Sequence, residues 1–144
     1  MLPKIDVPLY SITLPLSNKK IKIRPFLVKE EKLLLMAKES DNSAEILTAV
    51  KQIVNNCCID EIDVDGLPIL DLEYLFLKIR AISAGEDVSL KVTCQDDNET
   101  VVNVDINLND VEVYKPEGHT NKIMVDDTIG MVMKYPAMDS FVSV

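Results

Sequence analysis

At Gly85 the hydrophobic rhythm of this 144-residue chain changes from that of a helix to that of a strand. Upstream, in "DLEYLFLKIRAISAGE", Leu72, Leu75, Phe76, Ile79 and Ile82 recur at i, i+3, i+4, i+7 and i+10, which lines one helix face. Tyr74, Leu77 and Ala81 add a second apolar strip, so this helix should be central, with Glu73, Lys78 and Arg80 exposed along it. Asp71 is placed to cap its start, and Gly85 suits the left-handed position after its end. Downstream, Val88, Leu90 and Val92, then Val102, Val104 and Ile106, alternate with polar residues around the loop "QDDNE". "VEVY" reads as a third strand and "PEGHT" as a turn. Two short strands are expected around Asp126 and Asp127, with a short helix over 129–134 as the competing reading. The apolar finish "FVSV" suits a paired edge strand or a chain whose C-terminal extension is missing.

The first third follows the opposite order, strand before helix. Tyr10, Ile12 and Leu14, then Ile21 and Ile23, flank the turn residues Ser17 and Asn18 and predict a β-hairpin. Lys20, Lys22 and Arg24 fall on the face opposite the isoleucines, and Pro25 stops the strand because it has no N–H to donate. Good helix formers predict a helix over 28–38. A second helix follows Asn42, its cap, with Glu45 in capping-box position and Ile46, Leu47, Val50, Ile53, Val54 and Cys57 as its stripe. The expected architecture is therefore α+β: an N-terminal β-hairpin, three helices and a C-terminal antiparallel β-meander. It should form one domain over 1–144, hairpin and helical over 1–86 and β-rich over 87–144.

The run Leu33, Leu34, Leu35 and Met36 does not fit a one-sided helix, because four consecutive residues point all around the axis. Together with the second strip of the central helix, it gives more apolar surface than one simple core face requires. A sheet and a helix of the same chain could cover it, or a partner could.

Charge and composition narrow the chemistry. The net charge of −9 argues against nucleic acid as a main partner, since phosphate binding needs concentrated Lys and Arg. Residues 1–38 hold eight basic and three acidic side chains, whereas 39–144 hold seven and 21. The split fits two faces that meet differently charged partners, or a solvated surface with accidental asymmetry. No apolar stretch approaches a membrane span, and the N-terminus lacks the layout of a signal peptide, so a cytoplasmic chain is expected. The acids between Asp60 and Asp65 miss the register of a calcium loop. Four scattered glycines build no phosphate-cradling loop. Cys57, Cys58 and Cys94 read as reduced thiols, with Cys57 in the core, and they lack zinc-ligand spacing with His119. No catalytic, cofactor or metal site is expected. The rival of a different class is a small cytoplasmic metal-binding protein or enzyme using Cys94 and His119.

Four segments, "LPKIDVPLYSITLP", "IKIRPFLVKEEKLLLMAKES", "AVKQIVNNC" and "LPILDLEYLFLKIRAISAGEDVSLKVTC", resemble the baseplate hub subunit family of T-even-type contractile-tailed bacteriophages, cyanophage relatives included. The family's blocks are a basic strand ending R-P-F (Arg24, Pro25, Phe26), a V-K-E-E-K helix start (28–32) and a D-x-E-Y-x-F-x-K-x-R helix (71–80). The likeness weakens beyond Cys94, where relatives often carry further cysteines and this chain has "CQDDNE", so no metal role is carried over. Relatives also tend to continue past the "YP" block.

The resemblance implies a non-enzymatic subunit of the tail baseplate hub, met in the host cytoplasm during assembly and then in the virion baseplate. The alternative is an assembly chaperone for hub or tape-measure proteins that leaves before the virion is complete. Expected partners are other hub proteins and the tape-measure protein, with no nucleic acid and no membrane, and with self-association open. The candidate interface is Arg24, Phe26, Lys29, Glu30, Lys32, Leu34, Met36, Lys78 and Arg80: apolar residues for burial and charges to set orientation.

Overall fold

In a computed structural model, which describes residues 7–40, 42–137 and 140, the chain is α+β. A hairpin of β1 (Tyr10–Thr13) and β2 (Lys20–Ile23) leads into α1 (Val28–Glu39), α2 (Ser43–Cys57) and α3 (Ile69–Ala84). Two further antiparallel pairs follow, β3 (Asp87–Thr93) with β4 (Val101–Asn107), and β5 (Lys122–Met124) with β6 (Gly130–Val132).

The first hairpin pairs Ile12 with Ile21, and Asn18 turns it with a positive φ of 54°. Its alternation buries Ile21 and Ile23 and leaves Lys20 and Lys22 in solvent. The α2 stripe (Ile53, Val54, Cys57) and the first strip of α3 (Leu72, Leu75, Ile79) close over these isoleucines and Leu14. Val64 and Leu67 of the connector complete the core. Asn42 caps α2 by accepting the Ala44 N–H at 3.0 Å, and Gly85, at φ 96°, ends α3. Asn42 follows the sequence expectation, and Gly85 ends α3 where expected, but with a ψ of 156° it is extended at positive φ and not left-handed helical.

Asp71 departs from the sequence expectation. The first turn of α3 begins at Ile69, three residues earlier than a cap at Asp71 implied, so Asp71 lies inside the helix rather than at its cap. Its buried carboxylate reaches across to the β1–β2 turn and accepts the Leu16 N–H (2.8 Å), the Ser17 N–H (2.9 Å) and the Ser17 hydroxyl (2.7 Å). Three donors satisfy a charge that would otherwise be costly to bury, and the positive end of α3 favours it further.

The C-terminal strands form two separate hairpins rather than a continuous meander. Among the described residues "VEVY" forms no strand and pairs with none. After β4 the chain turns at Asn107 to Asp110, and Lys78 Nζ holds the Leu108 and Asn109 carbonyls at 3.1 and 3.3 Å. That tether directs Val111 and Val113 back along α3, beside Leu70, Tyr74 and Leu77. The second strip of α3 is thereby covered in part by the chain itself. Of the two readings for 129–134, the strand wins: Asp126 accepts N–H groups from Thr128 and Ile129 and closes the β5–β6 turn. The expectation for "FVSV" lies outside the described residues.

Asp71→Ala strips the acceptors from two turn N–H groups and is expected to cost about 3 kcal/mol. Ser17→Ala, which loses one hydroxyl bond, should cost about 1 kcal/mol. Urea unfolding followed by circular dichroism measures both, and equal losses would contradict the Asp71 account.

Candidate partner interface

Arg24, just after β2, is the residue through which β2, α1 and α2 meet. Its N–H donates to the Cys57 carbonyl at 2.9 Å, and its guanidinium donates to the Asn56 carbonyl (2.8 Å), the Pro25 carbonyl (2.9 Å) and Glu30 Oε1 (3.1 Å). The last turn of α2 contains no basic residue of its own, so Arg24 brings a cation to the negative end of that helix from outside. Glu30 Oε2 accepts the Leu27 N–H at 2.8 Å and closes the first turn of α1. The next link is Phe26, whose N–H donates to the Ser83 hydroxyl at 2.8 Å while its ring packs on Phe76 at 6.1 Å. The R-P-F block and the second glutamate of V-K-E-E-K thus form one internal joint.

This corrects the exposed charged flank expected from the sequence. The Glu30 side chain is fully buried and that of Arg24 is only 12% exposed, because each completes the other's hydrogen bonding. Lys29 approaches Glu30 at 3.4 Å from solvent, and an exposed partner of that kind adds little. Lys78 and Arg80, expected to stand clear of α3, are half-buried and bonded inward, Lys78 to the tether above and Arg80 to the Gly85 carbonyl at 3.4 Å. Phe26 and Leu34 are partly buried against the core. Of the candidate residues, Lys29, Lys32 and Met36 are in solvent.

The apolar run therefore divides. Leu33 and Leu34 pack inward, whereas Leu35 and Met36 are 56% and 59% exposed and Val28 is 82% exposed. With Lys32, these three form the outer face of α1. On the side toward α2, Met36 and Leu33 border a groove of about 400 Å³ with Ala44, Thr48 and Ala49.

Sequence periodicity did not reveal how much apolar surface the later hairpins leave open. In β3–β4 the facing pairs Val88 with Ile106, Leu90 with Val104 and Val92 with Val102 place six apolar side chains on one face. None of the six is buried. In the β5–β6 unit Ile123, Met124, Val125, Ile129, Met131, Val132 and Met133 are all exposed. The signal lay in the alternation itself, but alternation does not say whether a second layer exists.

The thiols and the histidine have ordinary surroundings. Burial pushes the Cys57 thiol up to about 11, and burial, with Cys57 and Asp60 adding to it, pushes Cys58 up to about 12. His119 stacks on Tyr135 and shares a hydrogen bond with its hydroxyl. Cys94 ends β3, where its N–H donates to the Thr100 carbonyl. Among the described residues no group of three or more His, Cys, Asp or Glu side chains is arranged to hold a metal ion, and no helix is long and apolar enough to cross a membrane.

Fold and surface together define a small α+β module whose apolar area outruns its own core. A family model described as "T4 bacteriophage base plate protein" matches residues 7–144, nearly the whole chain, and the chain belongs to that family. No curated protein and no solved structure matches it.

Two outcomes follow from this geometry. Burial alone would raise the Glu30 carboxyl, but the Arg24 hydrogen bond, the Leu27 N–H and the Arg24 charge outweigh it and hold it below its ordinary 4.5. Below pH 4.5 the unfolded chain takes up a proton that folded Glu30 still refuses, so stability falls with pH and is lost through the lowered folded value. Glu30→Gln should flatten that acid slope and lower stability at pH 7 by about 3 kcal/mol, read from urea titrations at stepped pH. Separately, at pH 8 fewer than about one in a thousand of the Cys57 and Cys58 thiols is ionised. Iodoacetamide should therefore modify Cys94 first, and the adjacent pair only on unfolding, as peptide mass spectrometry would show.

Proposed function

We propose that the chain is a non-enzymatic subunit of the baseplate hub that acts in tail assembly through protein–protein contacts. Membership of the baseplate family supplies the setting. The observation that carries the reading is the apolar surface left open on α1 and on both C-terminal hairpins. Contiguous exposed apolar area of this kind marks contact surfaces in proteins that do not aggregate. Other hub proteins and the tape-measure protein are the partners in this reading, and the virion baseplate is the final location. Lys29, Lys32 and Met36 belong to the contact surface. Arg24 and Glu30 act indirectly, by fixing where α1 leaves the core.

A tagged chain recovered from infected cells should co-purify with hub proteins. Lys32→Glu with Met36→Ser should weaken that recovery several-fold while leaving the thermal melt within a few degrees of wild type, since both side chains are in solvent. Unchanged recovery would remove α1 from the contact. Quantitation of the chain in purified virions separates a resident subunit from a departing chaperone: stoichiometric presence supports residence, and absence supports departure.

A further inference from the structure

Among the described residues nothing forms a second layer over the β3–β4 hairpin or over the outer face of α1. A two-stranded sheet needs cover on its apolar face, which a helix can supply. Within one molecule neither surface covers the other: the six apolar residues of the hairpin and Val28, Leu35 and Met36 of α1 all stay accessible.

Their charges are complementary. The ends of the β3–β4 apolar face carry four exposed acids, Glu86, Asp96, Asp97 and Glu99, and no base, whereas Asp87, Lys91 and Asp105 alternate onto the opposite face. The β1–β2 hairpin and α1 expose six lysines against Glu31 and Glu39. Arg24 and Glu30 drop out of this balance because they neutralise each other inside. Two hairpins meeting face to face would oppose four acids with four.

We propose that the chain associates head to tail, the apolar face of β3–β4 in one copy packing on the outer face of α1 in the next. The occupant of each surface is thus a second copy of this chain. Apolar burial holds the contact, and the acidic rim against the lysines sets its direction. Because the two surfaces differ, the contact is heterologous and propagates until a ring closes or a filament grows. The proposal extends the reading of these surfaces as contact surfaces and rests on it.

Sedimentation equilibrium of the full chain over a range of ionic strength tests it. Association that weakens as salt rises is expected, because exposed opposite charges are screened beyond about 8 Å at physiological ionic strength. Lys32→Glu with Lys38→Glu, and separately Asp96→Lys with Glu99→Lys, should each be monomeric. An equal mixture should associate again, since each reversed surface then finds its complement. Leu90→Thr with Val104→Thr keeps the charge and strand propensity and should also abolish association. Thermal melts near wild type for all three variants establish that they fold.

A chain that remains monomeric at low salt overturns the proposal, and hub proteins co-purifying with such a chain would leave the baseplate reading standing. Association that strengthens with salt overturns it as well, because that is the signature of two acidic hairpins meeting face to face. A mixture of reversed variants that stays monomeric has the same consequence.

Discussion

The burial of the Arg24–Glu30 pair is the interaction on which the arrangement of β2, α1 and α2 depends. A buried charge is tolerated only when its hydrogen bonds are complete. Completing these requires the end of β2, the first turn of α1 and the last turn of α2 in one place. Phe26 extends the joint to Ser83 near the end of α3. At the other end of α3, Asp71 performs the matching service for the β1–β2 turn. One helix is therefore tied at both ends to a single hairpin, by a carboxylate near its start and a hydroxyl near its finish. Such polar ties are directional, so they select one packing of apolar faces that could otherwise slide against each other.

The β-rich part is built on a different principle. The core cluster draws on residues between Leu14 and Ile79, and from β3 onward only Leu108 is buried among the described residues. The connection back to α3 combines the packing of Val111 and Val113 with polar ties, through Lys78 to two backbone carbonyls and through the Ile69 N–H to the Pro136 carbonyl at 3.1 Å. Hairpins attached by backbone and ammonium bonds, with their side chains facing water, are free to present those side chains elsewhere. This arrangement suits membership of the baseplate family, which implies contacts with other baseplate proteins.

Much of the fold was legible in the chain. The stripes of α2 and α3, the alternation in β3 and β4, Asn42 as a cap and Gly85 as a stop all express local preferences, and local preferences survive into the folded state. The candidate interface was less legible, and for one reason. Charged residues were read as solvent-facing because charge is costly to bury, yet Arg24 and Asp71 lie inside because a partner distant in sequence completes each, and Glu30 lies inside because Arg24 and the Leu27 N–H complete it. Ser17 and Asp71 are 54 positions apart, and Arg24 and Asn56 are 32 apart. Spacing rules reach about one helical turn and cannot register such pairs.

By itself, then, the sequence determined the three helices, the first hairpin and the β3–β4 pair and which of their faces are apolar, because both follow from backbone propensity and period over a few residues, whereas it misplaced a strand on "VEVY" and left 129–134 open. Only the tertiary structure decided which apolar faces find cover. It turned Leu33 and Leu34 inward and left Leu35 and Met36 outside, sent Val111 and Val113 back to α3, and left the β3–β4 face without a layer above it. Cover is a property of where whole elements are placed, and that placement was set by a few buried hydrogen bonds between residues that are remote along the chain.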